Sequence, residues 1–450
     1  MSYRFQPGNS SEKLLQLSRA NLEKGSAGIP SLCSANRFVL EAGMEHASRE
    51  GSLLLVEATS NQVNQYGGYT GQTPAQFAAS LGELAAQRQF PAEQMILGGD
   101  HLGPHVWKAE PASSAMAKAC ELVRSYVMAG FTKIHLDASM HCADDPGDRL
   151  KPLADEIVSA RQAELCKAAE LAFQRLPPGA APPLYVIGTE VPIPGGELAE
   201  SEAPEVTRVE DVARTVQCSR EAFLRLGLEE AWDRVLAVVV QPGVEFGDSV
   251  VFAYDRGKVR ALGEFAETVW QRVFEAHSTD YQTPTALRQM VQDHFAILKV
   301  GPALTFAFRE AVFALAIMEE EYLDSHRAAK PSKVRTVLEN AMLQNPGYWN
   351  KYYRGNDAAL TFSRKYSYSD RSRYYWPVPA VEKALEQLIL NLSHTPLPLS
   401  LVSQYLPRQY WAVREGRLTN HPVDLIRDKI LEVISIYGGA CGLDFLATTF

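Results

Sequence analysis

Met95-Ile96-Leu97-Gly98-Gly99-Asp100-His101-Leu102-Gly103-Pro104 is an apolar run that stops on two glycines and then presents an acid beside an imidazole. The glycines let a ligand or another backbone come close where a bulky side chain would block it. Asp100 can carry a proton, and a neutral His101 can hold a divalent metal. Standing alone, such a pair reads most simply as a turn. Its weight comes from repetition along the chain.

Eight short apolar runs read as strands: residues 30–35, 52–59, 94–100, 133–139, 184–190, 236–241, 273–277 and 296–301. Amphipathic segments at 37–49, 74–88, 114–129, 150–176, 284–295 and 305–322 lie between or after them. Strands alternating with helices point to parallel β/α units. Eight of them, with no early Gly-x-Gly-x-x-Gly, favour a closed (β/α)8 TIM barrel over an open doubly wound sheet with a helical cap. The barrel is expected over residues 1–323. Residues 324–450 read as a mostly helical extension that contributes to the active-site rim.

A barrel places its catalytic groups at the C-terminal ends of its strands. Those ends carry Asn36, Glu57, Asp100-His101, Asp137, Glu190, Gln241 with Glu245, His277 and Lys299. Two imidazoles, His101 and His277, with a carboxylate such as Glu245 or Glu190, make a donor set for a catalytic divalent cation. Asp100 and Glu190 can move protons to and from a substrate hydroxyl. His135, Asp137 and Ser139 alternate along the fourth strand, so they face one side and can support metal ligands. Lys299 reads either as a Schiff-base nucleophile or as the partner of a carboxylate such as Glu275, and the histidine pattern favours the electrostatic role. Ser369 and Arg371, in the run Ser367 to Arg373, offer hydroxyl and guanidinium donors suited to a phosphate.

A net charge of −9 argues against affinity for nucleic acid or an anionic membrane surface. No apolar run reaches the length of a membrane span, and no signal peptide opens the chain. The six cysteines are scattered without a Cys-x-x-Cys pair, as in a cytoplasmic protein with reduced thiols. No Gly-x-x-x-x-Gly-Lys-Ser/Thr loop is present, which argues against a P-loop kinase.

Several long motifs, among them Glu57-Ala-Thr-Ser-Asn-Gln-Val-Asn-Gln-Tyr-Gly-Gly-Tyr-Thr, Gly98-Gly-Asp-His-Leu-Gly-Pro, Glu275-Ala-His-Ser-Thr-Asp-Tyr-Gln-Thr and Ser369-Asp-Arg-Ser-Arg-Tyr-Tyr-Trp, resemble the GatZ/KbaZ family over nearly the whole chain. The resemblance implies tagatose and galactitol metabolism, with two activities open. One is a metal-dependent epimerase acting on ketose 6-phosphates at C4, through aldolase-like enediolate chemistry. The other is a non-catalytic subunit that stabilises a class II D-tagatose-1,6-bisphosphate aldolase.

The Asp-His pair is also similar to class II aldolases, which implies Asp100 as the proton carrier and His101 and His277 as ligands, with a Glu or Gln of Gln241-Pro-Gly-Val-Glu245, Glu245 in the expected set, replacing a middle histidine. The implied cofactor is a divalent ion (Zn, Mn, Co, Ni or Mg). Substrate contacts are expected from Asn36, Glu57, Asp137, Gln241, Lys299, Ser369 and Arg371. A ketose phosphate is the expected small-molecule partner, with an aldolase subunit or further copies of this chain as protein partners.

Overall fold

A computed structural model describes residues 10–149, 151–189, 204–326, 330–394 and 396–442. Eight parallel strands close into a barrel in chain order: β1 (Ile29–Leu32), β2 (Leu54–Thr59), β3 (Met95–Leu102), β4 (Lys133–Leu136), β5 (Leu184–Ile187), β6 (Val235–Val239), β7 (Val273–Ala276) and β8 (Phe295–Val300). The register runs from Ser31 opposite Leu55 round to Ile29 opposite Ile297. The expected (β/α)8 architecture is therefore the observed one.

All six expected amphipathic segments are helical, from Arg37–Glu50 to Pro302–His326. The sequence reading missed the helices Val209–Arg225 and Arg256–Phe265, and a small hairpin of Glu245–Phe246 against Val251–Phe252. Beyond the barrel, residues 399–414 form two successive helices, Leu399–Tyr405 and Pro407–Arg414. Pro407 has no N–H to continue the first and a φ suited to opening the second.

The extension is seated directly on the barrel. Its last helix, Pro422–Ala440, packs against Arg37–Glu50 and Pro302–His326. There Tyr437 donates its hydroxyl proton to the Thr279 carbonyl at 2.7 Å. The proposed boundary at residue 323 falls inside the eighth barrel helix, which runs to His326. That helix also holds the turn around residue 370: Thr305 Oγ1 donates to Asp370 Oδ2 at 2.6 Å, and Arg309 Nε to Oδ1 at 3.2 Å. Among the described residues, no helix is long and apolar enough to cross a membrane.

β3 is the irregular strand. Gly99 pairs with Ile134 and Leu102 with Leu136, so three steps on β3 match two on β4. The extra residue is a bulge, and His101 sits in it at φ 48°. In a regular strand Asp100 and His101 would face opposite sides. The bulge brings both toward the barrel mouth.

The glycines of this segment clear protein, not ligand. A Cβ on Gly98 would come within 2.6 Å of Glu57 Cγ, and one on Gly103 within 1.6 Å of the Asp137 carbonyl oxygen. Gly103→Ala should therefore destabilise the protein by about 2–3 kcal/mol. Gly263→Ala, in a helix where the added Cβ would meet only the Asp293 carbonyl oxygen, at 3.9 Å, should hold or raise the melting temperature. Thermal unfolding of both variants checks this, and a Gly103→Ala protein as stable as its parent contradicts it.

Candidate active site

The site begins below the barrel mouth with a layer of buried charge. Glu57, Lys133 and Glu275 have no solvent exposure at all. Lys133 Nζ lies 2.5 Å from Glu57 Oε1 and 2.6 Å from Glu275 Oε2. Lys299 completes the layer, paired with Glu57, 2.7 Å from Asp100 Oδ1 and 3.8 Å from Glu275 Oε1. Burial would strip Lys299 of its proton, but Asp100, Cys33, Glu57 and Glu275 hold its ammonium well above the ordinary lysine range. Schiff-base chemistry needs the opposite shift, so the electrostatic reading of Lys299 fits its surroundings.

One layer above, alternation along the strands sets His135 two residues after Lys133, and His277 two residues after Glu275. The bulge adds His101 and Asp100. The three imidazole centroids are 4.9–5.2 Å apart. With Asp100 they offer four ligand atoms within 4.8 Å of one another.

Each ring is oriented by a carboxylate. His101 Nδ1 is 2.8 Å from Asp137 Oδ2, His277 Nε2 is 2.9 Å from Glu275 Oε1, and His135 Nδ1 is 3.0 Å from Asp100 Oδ1. If the nitrogens facing Asp137 and Glu275 carry the protons, His101 Nε2 and His277 Nδ1 keep lone pairs; His135 Nδ1 lies between the His101 backbone N–H at 3.2 Å and Asp100, and the tautomer that donates to Asp100 leaves its Nε2 free to ligate. This is the carboxylate–histidine pattern of metal sites. His135 Nε2 is buried with no hydrogen-bond partner, and an unpartnered buried ring nitrogen is costly unless something binds it.

The charge count agrees with that fit. Lys133 and Lys299 face three carboxylates, Glu57, Glu275 and Asp100, and a fourth, Asp137, holds the His101 ring. With neutral imidazoles two negative charges remain, which a divalent cation would balance. Burial drives the His277 ring down to about 3, so it is neutral, despite its bond to Glu275. Burial also disfavours charge on His101, but Asp100 and Asp137 outweigh it and raise the proton affinity of that ring, a proton for which a bound cation would compete. For Asp100, burial favours the acid; the charges of His101 and Lys299, with the His135 bond, hold the carboxyl well below its ordinary range.

Above this cluster lies an open cavity, lined by Asp100, His101, His277, Lys299, Arg373 and Tyr374 among others. The extension thus contributes to its wall. Other expected site residues sit elsewhere. Glu245 is not in the imidazole group: it opens the hairpin, its Oε1 accepting the Phe246 N–H at 2.9 Å, and His135 stands in its place. Asn36 caps the helix Arg37–Glu50, accepting the N–H groups of Phe38 and Val39.

Gln241 Oε1 accepts from the Gly243 and Val244 N–H groups and shapes that turn. Glu57 lies beneath the cavity, and Asp137 orients His101; neither lines the cavity itself. Ser369 bonds Ser367 at 2.9 Å. Arg371 stacks 3.3 Å from the Tyr352 ring centre and lines a neighbouring cleft. Glu190 falls outside the described residues.

Sequence reasoning missed His135 as a cluster member and Lys133, and within the run Ser367 to Arg373 it took Arg371 and not Arg373 as the substrate contact. The period-two spacing of Lys133, His135 and Asp137 was a usable signal for the first two. Which arginine of Arg371 and Arg373 reaches the cavity depends on the turn, where Asp370 has φ 40°.

The protein is an eight-stranded β/α barrel with a histidine–carboxylate cluster at its strand ends that could hold a metal ion. The chain belongs to the GatZ/KbaZ-like family of D-tagatose-1,6-bisphosphate aldolase subunits, whose model matches residues 14–442. A crystal structure of a probable tagatose 6 phosphate kinase from Sinorhizobium meliloti is similar, with 44% identity and a TM-score of 0.83 over 92% of this chain and all of that one. A fructose-bisphosphate aldolase from Campylobacter jejuni is matched far more loosely, at 14% identity and a TM-score of 0.45 over 86% of this chain and 94% of that one.

Removing one member of the buried charge layer leaves its partners unpaired, which costs about 3–5 kcal/mol. Lys133→Met, which leaves Glu57 and Glu275 facing each other, should lose stability on that scale in urea unfolding. An unchanged midpoint and slope would show that the layer contributes nothing.

Proposed function

We propose that this chain is a cytoplasmic, metal-dependent epimerase that interconverts D-tagatose 6-phosphate and D-fructose 6-phosphate at C4, in tagatose and galactitol catabolism. The observation that supports the reading is the trio of imidazoles, each beside a carboxylate, whose ring nitrogens with an Asp100 oxygen lie within 4.8 Å of one another. His101, His135 and His277 would hold the ion, which supplies Lewis acidity toward a substrate carbonyl when bound.

Asp100 stays a carboxylate and can accept a proton. In the proposed cycle it takes the proton of the C4 hydroxyl as the C3–C4 bond breaks, leaving an aldehyde at C4. The aldehyde turns its other face, the bond re-forms, and the new hydroxyl is reprotonated. Lys299 stays protonated against Asp100 and steadies its negative charge. Glu190 is the proposed second proton carrier, on the opposite face.

The family description favours a second reading, in which the chain supports a separate aldolase subunit. The two differ in what the purified chain does alone. With tagatose 6-phosphate and a divalent metal, it should form fructose 6-phosphate, and a chelator should abolish the conversion. No turnover, together with stabilisation of an aldolase partner, would overturn the epimerase reading.

Two variants test the residue roles. Asp100→Asn should lose turnover by about 100-fold or more while metal analysis shows the ion retained. His135→Ala should lose bound metal, whereas Glu245→Gln should keep it; the reverse pattern would return Glu245 to the ligand set.

A further inference from the structure

Substrate charge must be met somewhere in this cavity. Many barrels bind phosphate at the loops after strands seven and eight, on exposed backbone N–H groups. Here that position is filled from within. Asp280 Oδ1 accepts the N–H groups of Gly301 at 3.0 Å and Ala303 at 2.8 Å, where the helix Pro302–His326 begins. A phosphate there would displace a buried carboxyl. Lys299, the other cation in the lining, is already engaged by Glu57 and Asp100.

Arg373 differs from both. It lines the same cavity as Asp100, His101 and His277, and no carboxylate among the described residues lies within ion-pair distance of it. Its Nη1 donates to the Ser369 and Asp370 carbonyls, and its Nη2 to the Tyr374 hydroxyl at 3.1 Å. Those bonds hold the guanidinium in place and leave the Nε–Nη2 edge with donors in hand, the edge suited to a two-point grip on phosphate oxygens. The turn beneath is braced: Asp370 is bonded to Thr305, Arg309 and, at 2.7 Å, Ser372.

Resting on the epimerase reading, we infer that Arg373 anchors the single terminal phosphate of the substrate and so selects a ketose monophosphate over a bisphosphate. Among the described residues the cavity offers one cation not already paired with a carboxylate. A second phosphate would face Asp100 or Asp280 instead of a positive charge.

Calorimetric titration of the full-length, metal-loaded chain tests this through affinity, which it reads for the equilibrating 6-phosphates whatever the rate of turnover. Fructose 6-phosphate should bind, inorganic phosphate should compete with it, and fructose 1,6-bisphosphate should bind no more tightly. Arg373→Met should weaken fructose 6-phosphate by about 10- to 100-fold and abolish competition by inorganic phosphate, with Arg373→Lys between the two. Unchanged thermal melting shows that the fold is intact.

Equal affinity in parent and Arg373→Met, or tighter binding of the bisphosphate, overturns the anchor even if the protein is an active epimerase. Binding lost in Arg373→Met by a chain that turns nothing over keeps the anchor and sinks the epimerase reading instead.

Discussion

Two lysines inside a barrel are the constraint on which the rest of this site depends. Lys133 and Lys299 lie where such barrels ordinarily stack branched apolar side chains. Their ammonium groups persist because Glu57, Glu275 and Asp100 surround them. The same carboxylates depend on the lysines, since an unpaired buried charge costs several kcal/mol. This mutual requirement leaves each side chain little freedom to rotate. Glu275 transmits the constraint upward by gripping His277, and Asp100 does so through His135.

The bulge in β3 is the second device. It puts consecutive residues, Asp100 and His101, to work at one site, which a regular strand forbids. The cost is visible in the left-handed backbone of His101. Gly103 admits the Asp137 carbonyl just beyond, so the strand can regain its pairing at Leu102. Asp137 in turn bonds the His101 ring. Backbone distortion and ring orientation are thus parts of one arrangement.

The extension adds what the barrel lacks. Cations within the barrel are tied to its own carboxylates, and Arg373 comes from a turn fastened to the eighth helix through Asp370. The cavity wall therefore joins residues from both ends of the chain, acid and imidazole on one element and guanidinium on another.

Much of this was readable in the residues. Short apolar runs ending in polar groups marked all eight strands, because a strand buried in a barrel has to be apolar until it reaches the mouth. Asp100, His101 and His277 came from the same logic, and the long motifs marked the family. Side-chain direction was not readable. Asn36, Gln241 and Glu245 stand at strand ends like the others, yet their oxygens are taken by backbone N–H groups of their own loops, a local competition that strand spacing does not reveal.

Local order in the chain determined the barrel and the kinds of group at its mouth, since hydrophobic periodicity and strand-end chemistry are properties of neighbouring residues. Only the tertiary structure decided which groups meet. His135 replaces Glu245 and Arg373 replaces Arg371 because a one-residue bulge and a left-handed turn re-aim side chains across distances that sequence spacing cannot encode.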